Sequence, residues 1–415
     1  MAASDPVLTT VDEHLARILD RVYPLNPLDV QLLEAHGCVL AEDVAAATDL
    51  PAWDNSAMDG YAVLCADVAA ASAASPVRLP VVGDIPAGSQ VPHRMQPGQA
   101  LRIMTGAPLP DGADAVVPVE WTDRGTRTVE IREAPELGQH VRRRGDDVRA
   151  GAPLLAAGTR LGPRHVALLA AVGRARVLVR PRPRVVVVST GSELVEPGAA
   201  VGFGQVPDAN GPGLTAAARE AGAVVYRVGI VPDEPRTLLD TIEDQLVRAD
   251  AVITTGGVSA GAYDVVKEVL SSLGTVAFTS VAMQPGKPQG FGTIGPDATP
   301  IFTLPGNPVS AFVSFEVFVR PAIRRMLGLE PLHRRVVRAR CTSPVPSRPG
   351  IRQYLRASLD LAGDEGPQVT PLVGQGSHML ASLARANGLL VLPEDVTQVA
   401  EGDQVDVVVL EERPA

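Results

Sequence analysis

The chain has little cysteine. Cys38, Cys65 and Cys341 are the only three in 415 residues, far apart, with no CxxC pair and no metal-ligand spacing. That excludes a disulfide scaffold and a cysteine-built zinc site, and it fits a reducing, cytoplasmic setting. The seven histidines are scattered, without HExxH or a compact cluster, so zinc is not expected. Nowhere do eighteen apolar residues run uninterrupted, and the opening MAASDPVLTTVDEHLARILD has no basic segment leading into an apolar core. Neither membrane spanning nor secretion is therefore expected. Positive charge is also short: the net charge is -10. This argues against a nucleic-acid partner, which asks for a basic patch. The local basic runs Arg142–Asp147 (RRRGDD) and Arg180–Arg184 (RPRPR) sit beside turn residues and read as solvated edges or anion contacts. Lysine is nearly missing, with only Lys267 and Lys287.

What is present is enough apolar sequence for two to four domains. The stretch that organises the rest is Ala251–Asp264, AVITTGGVSAGAYD. Its short, partly β-branched start predicts a buried strand, Gly256 and Gly257 permit close ligand approach, and Asp264 falls where a helix opens. Backbone N–H groups at a helix start attract anions, and a neighbouring carboxylate can share a hard cation with a phosphate. A plain strand-to-helix turn has the same composition. Two neighbours repeat the pattern. Arg184–Ser189 runs into TGSEL, with Thr190, Ser192 and Glu193 past its end, and Val224–Val231 runs into Pro232, Asp233 and Glu234. In an open parallel sheet the ligand crevice lies outside the carboxyl ends of the strands, so Glu193, Asp233 and Asp264 are expected to converge there.

Along the chain, apolar Val11, Leu15, Ile18, Leu19 and Val22 predict an amphipathic helix over 9–23, followed by a second helix over Leu28–Ala35. Short Val-rich runs broken by Gly and Pro then indicate small β-elements with gaps too short for parallel α/β units. Further helices are predicted at Pro163–Ala171, Gly213–Ala221, Pro235–Arg248, Tyr263–Leu273 and Pro308–Leu327. The division expected is an N-terminal helical and linker domain of 1–50 with 146–180, a small β-rich domain of 51–145, an α/β domain of 181–328 and a C-terminal β-domain of 329–415.

Two loops of the β-rich part are unlike scaffolding: Asp54–Ala62, DNSAMDGYA, and Arg102–Pro110, RIMTGAPLP, which places Thr105 and Gly106 at a strand end. Asn, Asp, Ser and Gly also favour turns for local reasons. Two PG turns, MQPGKPQG at 283–290 and TLPGNPVS at 303–310, complete the set, the second leading into a helix with Pro308 near its first turn. In a chain that otherwise uses arginine, Lys287 supplies a compact ammonium suited to a phosphate or oxyanion, unless it is a solvated turn lysine.

NSAMDGYA, RIMTGAPLP, RRRGDDVRAG, STGSEL, TTGGVSAGAYD, PGKP, LPGNPVS and GQGSHML occur here in the order seen in the molybdopterin molybdenumtransferase family, which includes MoeA and the gephyrin E domain. The chain resembles that family over nearly its whole length. The resemblance implies a multi-domain α/β plus β protein: a three-layer molybdopterin-binding α/β domain, a helical and β-rich N-terminal half and a C-terminal β-domain, assembled as an L-shaped homodimer. It implies insertion of molybdenum, from molybdate, into adenylated molybdopterin, with magnesium-dependent cleavage of the adenylate to give molybdenum cofactor and AMP. A molybdopterin adenylyltransferase and apo-molybdoenzymes are the protein partners it suggests.

Carried over position by position, the resemblance points to Asp59, Thr105, Asp147, Glu193, Asp233, Asp264, Lys287, Arg356 and Ser377. Glu193, Asp233 and Asp264 are expected to hold magnesium, since that ion asks for oxygen ligands. Lys287 and the Gly256–Ser259 loop are expected to hold the substrate phosphate, and Ser192, Thr255, Gly257, Gly286, Pro305, Gly306, Asn307 and Ser310 belong to the expected molybdopterin-binding set. Arg356 and Ser377 suit a tetrahedral oxyanion such as molybdate. Asp59, Thr105 and Asp147 come from the N-terminal half, so a site shared across the dimer is the expectation. Relatives often have lysine where this chain has Gln284, which brings no charge. A gephyrin-type scaffold and an adenylating enzyme are the alternative readings; the chain lacks the extra domain and linker of the first, and its NSAMDGYA and RIMTGAPLP half argues against the second.

Overall fold

The computed structural model describes residues 8–256, 265–363 and 366–411. They fall into two units, one of Met1–Leu28, Gly37–Val39 and Val179–Ala415, the other of Asp29–His36 and Leu40–Leu178.

The first unit is built on a six-stranded sheet ordered Val224–Val231, Arg184–Thr190, Ala251–Thr255, Thr299–Leu304, Pro288–Ile294, Ala277–Ser280. The first four strands run parallel and each of the last two is antiparallel to the strand before it, so the parallel sheet predicted from the strand ends carries an antiparallel edge. The period-two rule explains the continuous valines of Arg184–Thr190. Val185 and Val187 point into one core with Leu214, Ala218, Val309, Phe315 and Phe318, while Val186 and Val188 point into the other with Leu238, Ile242, Val266 and Leu270. Helices therefore cover both faces. The predicted helix Pro308–Leu327 is continuous, but Phe315–Val319 is a π-helical turn inside it.

The N-terminal helix is Val11–Leu19, opened by a capping box in which Thr10 and Glu13 satisfy each other's backbone N–H groups. It is shorter than the predicted 9–23, because the chain beyond Asp20 bonds elsewhere: the Leu25 N–H donates to the Met326 carbonyl at 2.8 Å. Its apolar face, Val11 and Ile18, joins the core that holds Phe318.

C-terminal strands form a closed ring in the same unit: Arg352–Asp360, Gln368–Pro371, Val336–Cys341, Gln404–Val409 and Gly388–Leu392, the last pairing back to the first. Ala339, Val369, Leu390 and Val407 fill it. Met283–Gln284, just ahead of the PGKP turn, adds alongside Arg352–Gln353 and ties that turn to the ring.

The second unit centres on a five-stranded sheet ordered Ala115–Pro118, Gly60–Val63, Ala100–Ile103, Val77–Ile85, Thr128–Ile131. Gly60 is required there, since a Cβ at that position would collide with the carbonyl of Val117. The helix Pro163–Ala171 has the predicted bounds. The helix predicted over Leu28–Ala35 is absent: Leu28–Gln31 is a strand and Leu32–Ala35 a single 3₁₀ turn. The Arg176 guanidinium grips Asp29 through both its carboxylate and its carbonyl, and the Leu32 N–H donates to the Ala175 carbonyl, so pairing with a distant segment overrides local preference.

Candidate functional site

In the first unit the carboxyl ends of the parallel strands are joined by side chains from the loops that follow them. After Arg184–Thr190 the backbone turns at Gly191, and the exposed Ser192 and Asp233 bond reciprocally. The Ser192 N–H donates to Asp233 Oδ2 and the Asp233 N–H donates to Ser192 Oγ, each at 3.2 Å. Glu193 is exposed beside them, its carboxylate folded back against Gly191. Two strand ends thus present oxygen donors to one edge. Asp264, with Gly257 and Ser259, lies outside the described residues. No group of three or more His, Cys, Asp or Glu placed to hold a metal occurs among the described residues. What Glu193 and Asp233 supply is an oxygen-only donor pair, of the kind a hard divalent cation takes in company with substrate oxygens.

Thr255 ends the next strand, and Gly256 turns away from it at φ +103°, where a Cβ would strike the carbonyl of Thr190. The Asn210 amide donates to Thr255 Oγ1 at 2.8 Å and to the Gly306 carbonyl at 2.7 Å, while Thr255 Oγ1 donates to the Pro305 carbonyl at 3.2 Å. One amide therefore holds two of the proposed loops together. Nearby, buried Asp208 accepts from Ser189 Oγ at 2.8 Å, the Gly211 N–H at 2.9 Å and Arg227 at 3.0 Å. Asp208 and Asn210 are absent from the predicted set. Their signal was legible: VPDANG is a strand end followed by Asp and Asn ahead of a helix, the same arrangement that marked Glu193 and Asp233.

Lys287 and Gln284 are exposed around the buried Gly286. The Gln289 amide fixes this turn by donating to the Gly286 carbonyl and to Ser314 Oγ, each at 2.6 Å. Gly306 and Asn307 are exposed ahead of the helix Pro308–Ser314, whereas Pro305 and Ser310 are buried. The Val309 N–H of that helix donates to the Ser377 carbonyl at 3.1 Å, which brings the GQGSHML loop onto the α/β domain. Arg356, expected at the oxyanion, lies on the ring strand Arg352–Asp360. It is fully buried and donates to the carbonyls of Gly374 at 2.6 Å and Gly376 at 3.1 Å, with no carboxylate partner among the described residues and with its Nη1 left without a hydrogen-bond partner there. Burial holds its pKa below the usual arginine range. It secures the loop that carries Ser377, and Ser377 itself is half-buried at that loop's end.

A second cluster lies in the other unit. Thr105 donates to Asp59 Oδ1 through its N–H at 2.7 Å and its hydroxyl at 2.8 Å. These bonds, the backbone one foremost, lower the Asp59 pKa from its ordinary value. The two polar loops also share backbone bonds between Ser56 and Gly106 and between Ala107 and Ser56. A cavity of about 320 Å³ opens beside them, lined by Asp59, Tyr61, Arg102, Arg124 and Thr126 among others. Asp147 is exposed in the 143–150 segment, whose Arg143 and Arg144 both bond to Asp54. DNSAMDGYA, RIMTGAPLP and RRRGDD, distant in sequence, are thus brought together.

A parallel α/β core whose strand ends gather backbone turns, hydroxyls and exposed carboxylates has the ligand-crevice architecture of an open α/β sheet, and the chain carries a closed β-ring and a separate β-rich unit besides. The chain matches the family models for the MoeA N-terminal region (domain I and II) over residues 9–173, the probable molybdopterin binding domain over 186–325 and the MoeA C-terminal region (domain IV) over 338–410. It is 44% identical over 422 residues to molybdopterin molybdenumtransferase 1 of Mycobacterium tuberculosis, covering 97% of this chain and 99% of that one. It is 46% identical over 406 residues to molybdopterin molybdenumtransferase 2 of the same species, covering 96% and 99%. A solved molybdopterin biosynthesis moea protein from Pyrococcus horikosii matches with a TM-score of 0.76 at 34% identity, over 98% of this chain and 100% of that one. The chain belongs to the molybdopterin molybdenumtransferase family, as its ordered motifs implied.

Proposed function

We propose that this chain inserts molybdenum, taken from molybdate, into adenylated molybdopterin, with cleavage of the adenylate in a step that needs magnesium, giving molybdenum cofactor and AMP. The observation that carries the reading is the joining of Ser192 to Asp233, and of Asn210 to Thr255 and Gly306, at the carboxyl ends of adjacent parallel strands. Such ends form the ligand crevice of an open α/β sheet. Glu193 and Asp233, together with Asp264, are the residues assigned to the cation. Magnesium, when bound, offsets phosphate charge during cleavage of the adenylate. Lys287 and the turn at Gly256 hold phosphate oxygens, and Gly306, Asn307 and Ser310 border the pterin. Ser377 meets the molybdate oxyanion, with Arg356 holding its loop in place.

Asp59, Thr105 and Asp147 are assigned to the same activity, in a homodimer. A molybdopterin adenylyltransferase is the partner class that supplies the substrate, and apo-molybdoenzymes consume the product. Two experiments test the reading. Purified protein is expected to release AMP from adenylated molybdopterin only with molybdate and magnesium, and Asp233→Asn is expected to lose that release. Release independent of both ions, or no release by the wild type despite tight substrate binding, refutes the transferase assignment. Mixing Asp59→Asn and Asp233→Asn chains is expected to restore activity in mixed dimers; none restored refutes the dimer assignment.

A further inference from the structure

The segment between Leu194–Val195 and Val206–Pro207 leaves the candidate site and returns to it. These two short strands run parallel. The Val206 N–H donates to the Glu193 carbonyl and the Asp208 N–H donates to the Val195 carbonyl, both at 2.9 Å, so both ends are fixed at the edge that carries Glu193, Asp208 and Asn210. Between them, Phe203 is fully exposed, flanked by Gly202 and Gly204, with Val201 also exposed. Aromatic residues make up only 3% of this chain, and this one buries nothing.

The turn does not need the ring. Its own bonds run from the Gly202 N–H to Gln205 Oε1 at 2.9 Å and from the Gln205 N–H to the Gly202 carbonyl at 3.2 Å, spanning Phe203 and leaving its side chain outside. A polar residue would satisfy that geometry without exposing apolar surface. Two residues separate Phe203 from Val206, a span of at most about 11 Å, so the benzyl group is within reach of the Glu193 edge. The flanking glycines leave the backbone free to turn the ring toward it.

We infer that Phe203 is a substrate-contacting residue that stacks on the fused heteroaromatic ring of the pterin. This rests on the function proposed above. A phenyl face offers nothing to a phosphate or to molybdate, and it offers a planar, polarisable surface to a pterin. Phe203 sets ring affinity, and the carboxylates and Lys287 act on the charged end of the same molecule.

The test uses full-length wild type, Phe203→Ala, Phe203→Leu and Phe203→Trp, with adenylated molybdopterin as substrate. Phe203→Ala is expected to raise KM about tenfold with kcat within about twofold, the effect of losing one base-like stacking contact. Phe203→Leu keeps apolar bulk without a π face and is expected to behave like Phe203→Ala. Phe203→Trp is expected to keep the wild-type KM and to show emission quenching on substrate addition beyond any seen in the wild type, whose tryptophans are Trp53 and Trp121. An unchanged KM in Phe203→Ala overturns the inference, as does full retention by Phe203→Leu. A fall in sedimentation mass of Phe203→Ala with KM unchanged makes Phe203 a subunit contact and overturns it too. A wild type that neither binds nor turns over the substrate defeats the transferase reading itself, and that outcome is distinct because it precedes any comparison of variants.

Discussion

His14 sits on the inner face of Val11–Leu19, 2% exposed, its ring edge-on to Phe318 with centroids 4.8 Å apart. Burial, helped by the charge of Arg17 one turn along, lowers its pKa from 6.5 to about 4. The folded chain therefore holds His14 neutral at pH values where an unfolded chain protonates it. Between about pH 6.5 and pH 4 the unfolded state binds more protons, so stability from this residue falls as pH falls through that window and is unaffected above it. A shift of 6.5 to about 4, at 1.36 kcal/mol per unit, corresponds to a loss of about 3 kcal/mol by pH 4. The substitution His14→Leu keeps the apolar contact and removes the titration. Amide exchange over Val11–Leu19, measured at pH 7 and pH 4.5 and corrected for intrinsic rates, is expected to show a drop in opening free energy in the wild type that is largely absent in His14→Leu. Carboxylates such as Asp12, bonded to Arg352, contribute equally to both proteins and cancel in the comparison. Equal pH dependence in the two would refute the account.

The remaining predictions concern the clusters themselves. Asn210→Ala removes two hydrogen bonds at about 1 kcal/mol each and should lower stability by about 2 kcal/mol in urea denaturation, with loss of AMP release as the Thr255 and Gly306 loops part. Arg356→Met should cost on the order of 2–3 kcal/mol by removing the guanidinium bonds to the Gly374 and Gly376 carbonyls, whereas Ser377→Ala should leave thermal stability within about 0.5 kcal/mol. Weakened molybdate use with unchanged stability in Arg356→Met would mean that the guanidinium meets the oxyanion directly. Thr105→Val removes the hydroxyl bond to Asp59 and keeps the N–H bond, so NMR titration should move the Asp59 pKa upward only part of the way to its ordinary value.

Much of the fold could be read from the chain because its strands are unmistakable. Arg184–Thr190 carries an unbroken run of valines, and the helix Pro163–Ala171 announces its start with proline and keeps the predicted bounds. Leu28–Gln31 was not legible as a strand, since what makes it one is Arg176, almost 150 positions away. The end of the N-terminal helix was likewise decided by Met326. Within the site, Ser192, Asp233 and Thr255 stood out by ending strands. Asp208 and Asn210 carried the same mark but followed a strand of two residues, too short for the valine-run criterion. Arg356 was marked only by the family resemblance, and its burial depends on which way its strand faces in a closed ring.

The core around Phe318 is assembled from Val11 and Ile18 near one end of the chain, Phe315 and Ile323 from the middle, and Tyr354 and Leu389 near the other. The stretch matching the molybdopterin-binding family model, 186–325, is accordingly a unit of inheritance and not one of physical independence. Cut out at those bounds it would carry a bare apolar face, and the strand Met283–Gln284 would lose its neighbour. Anyone transplanting this segment between proteins has to bring the N-terminal helix and the ring with it, or redesign what they cover.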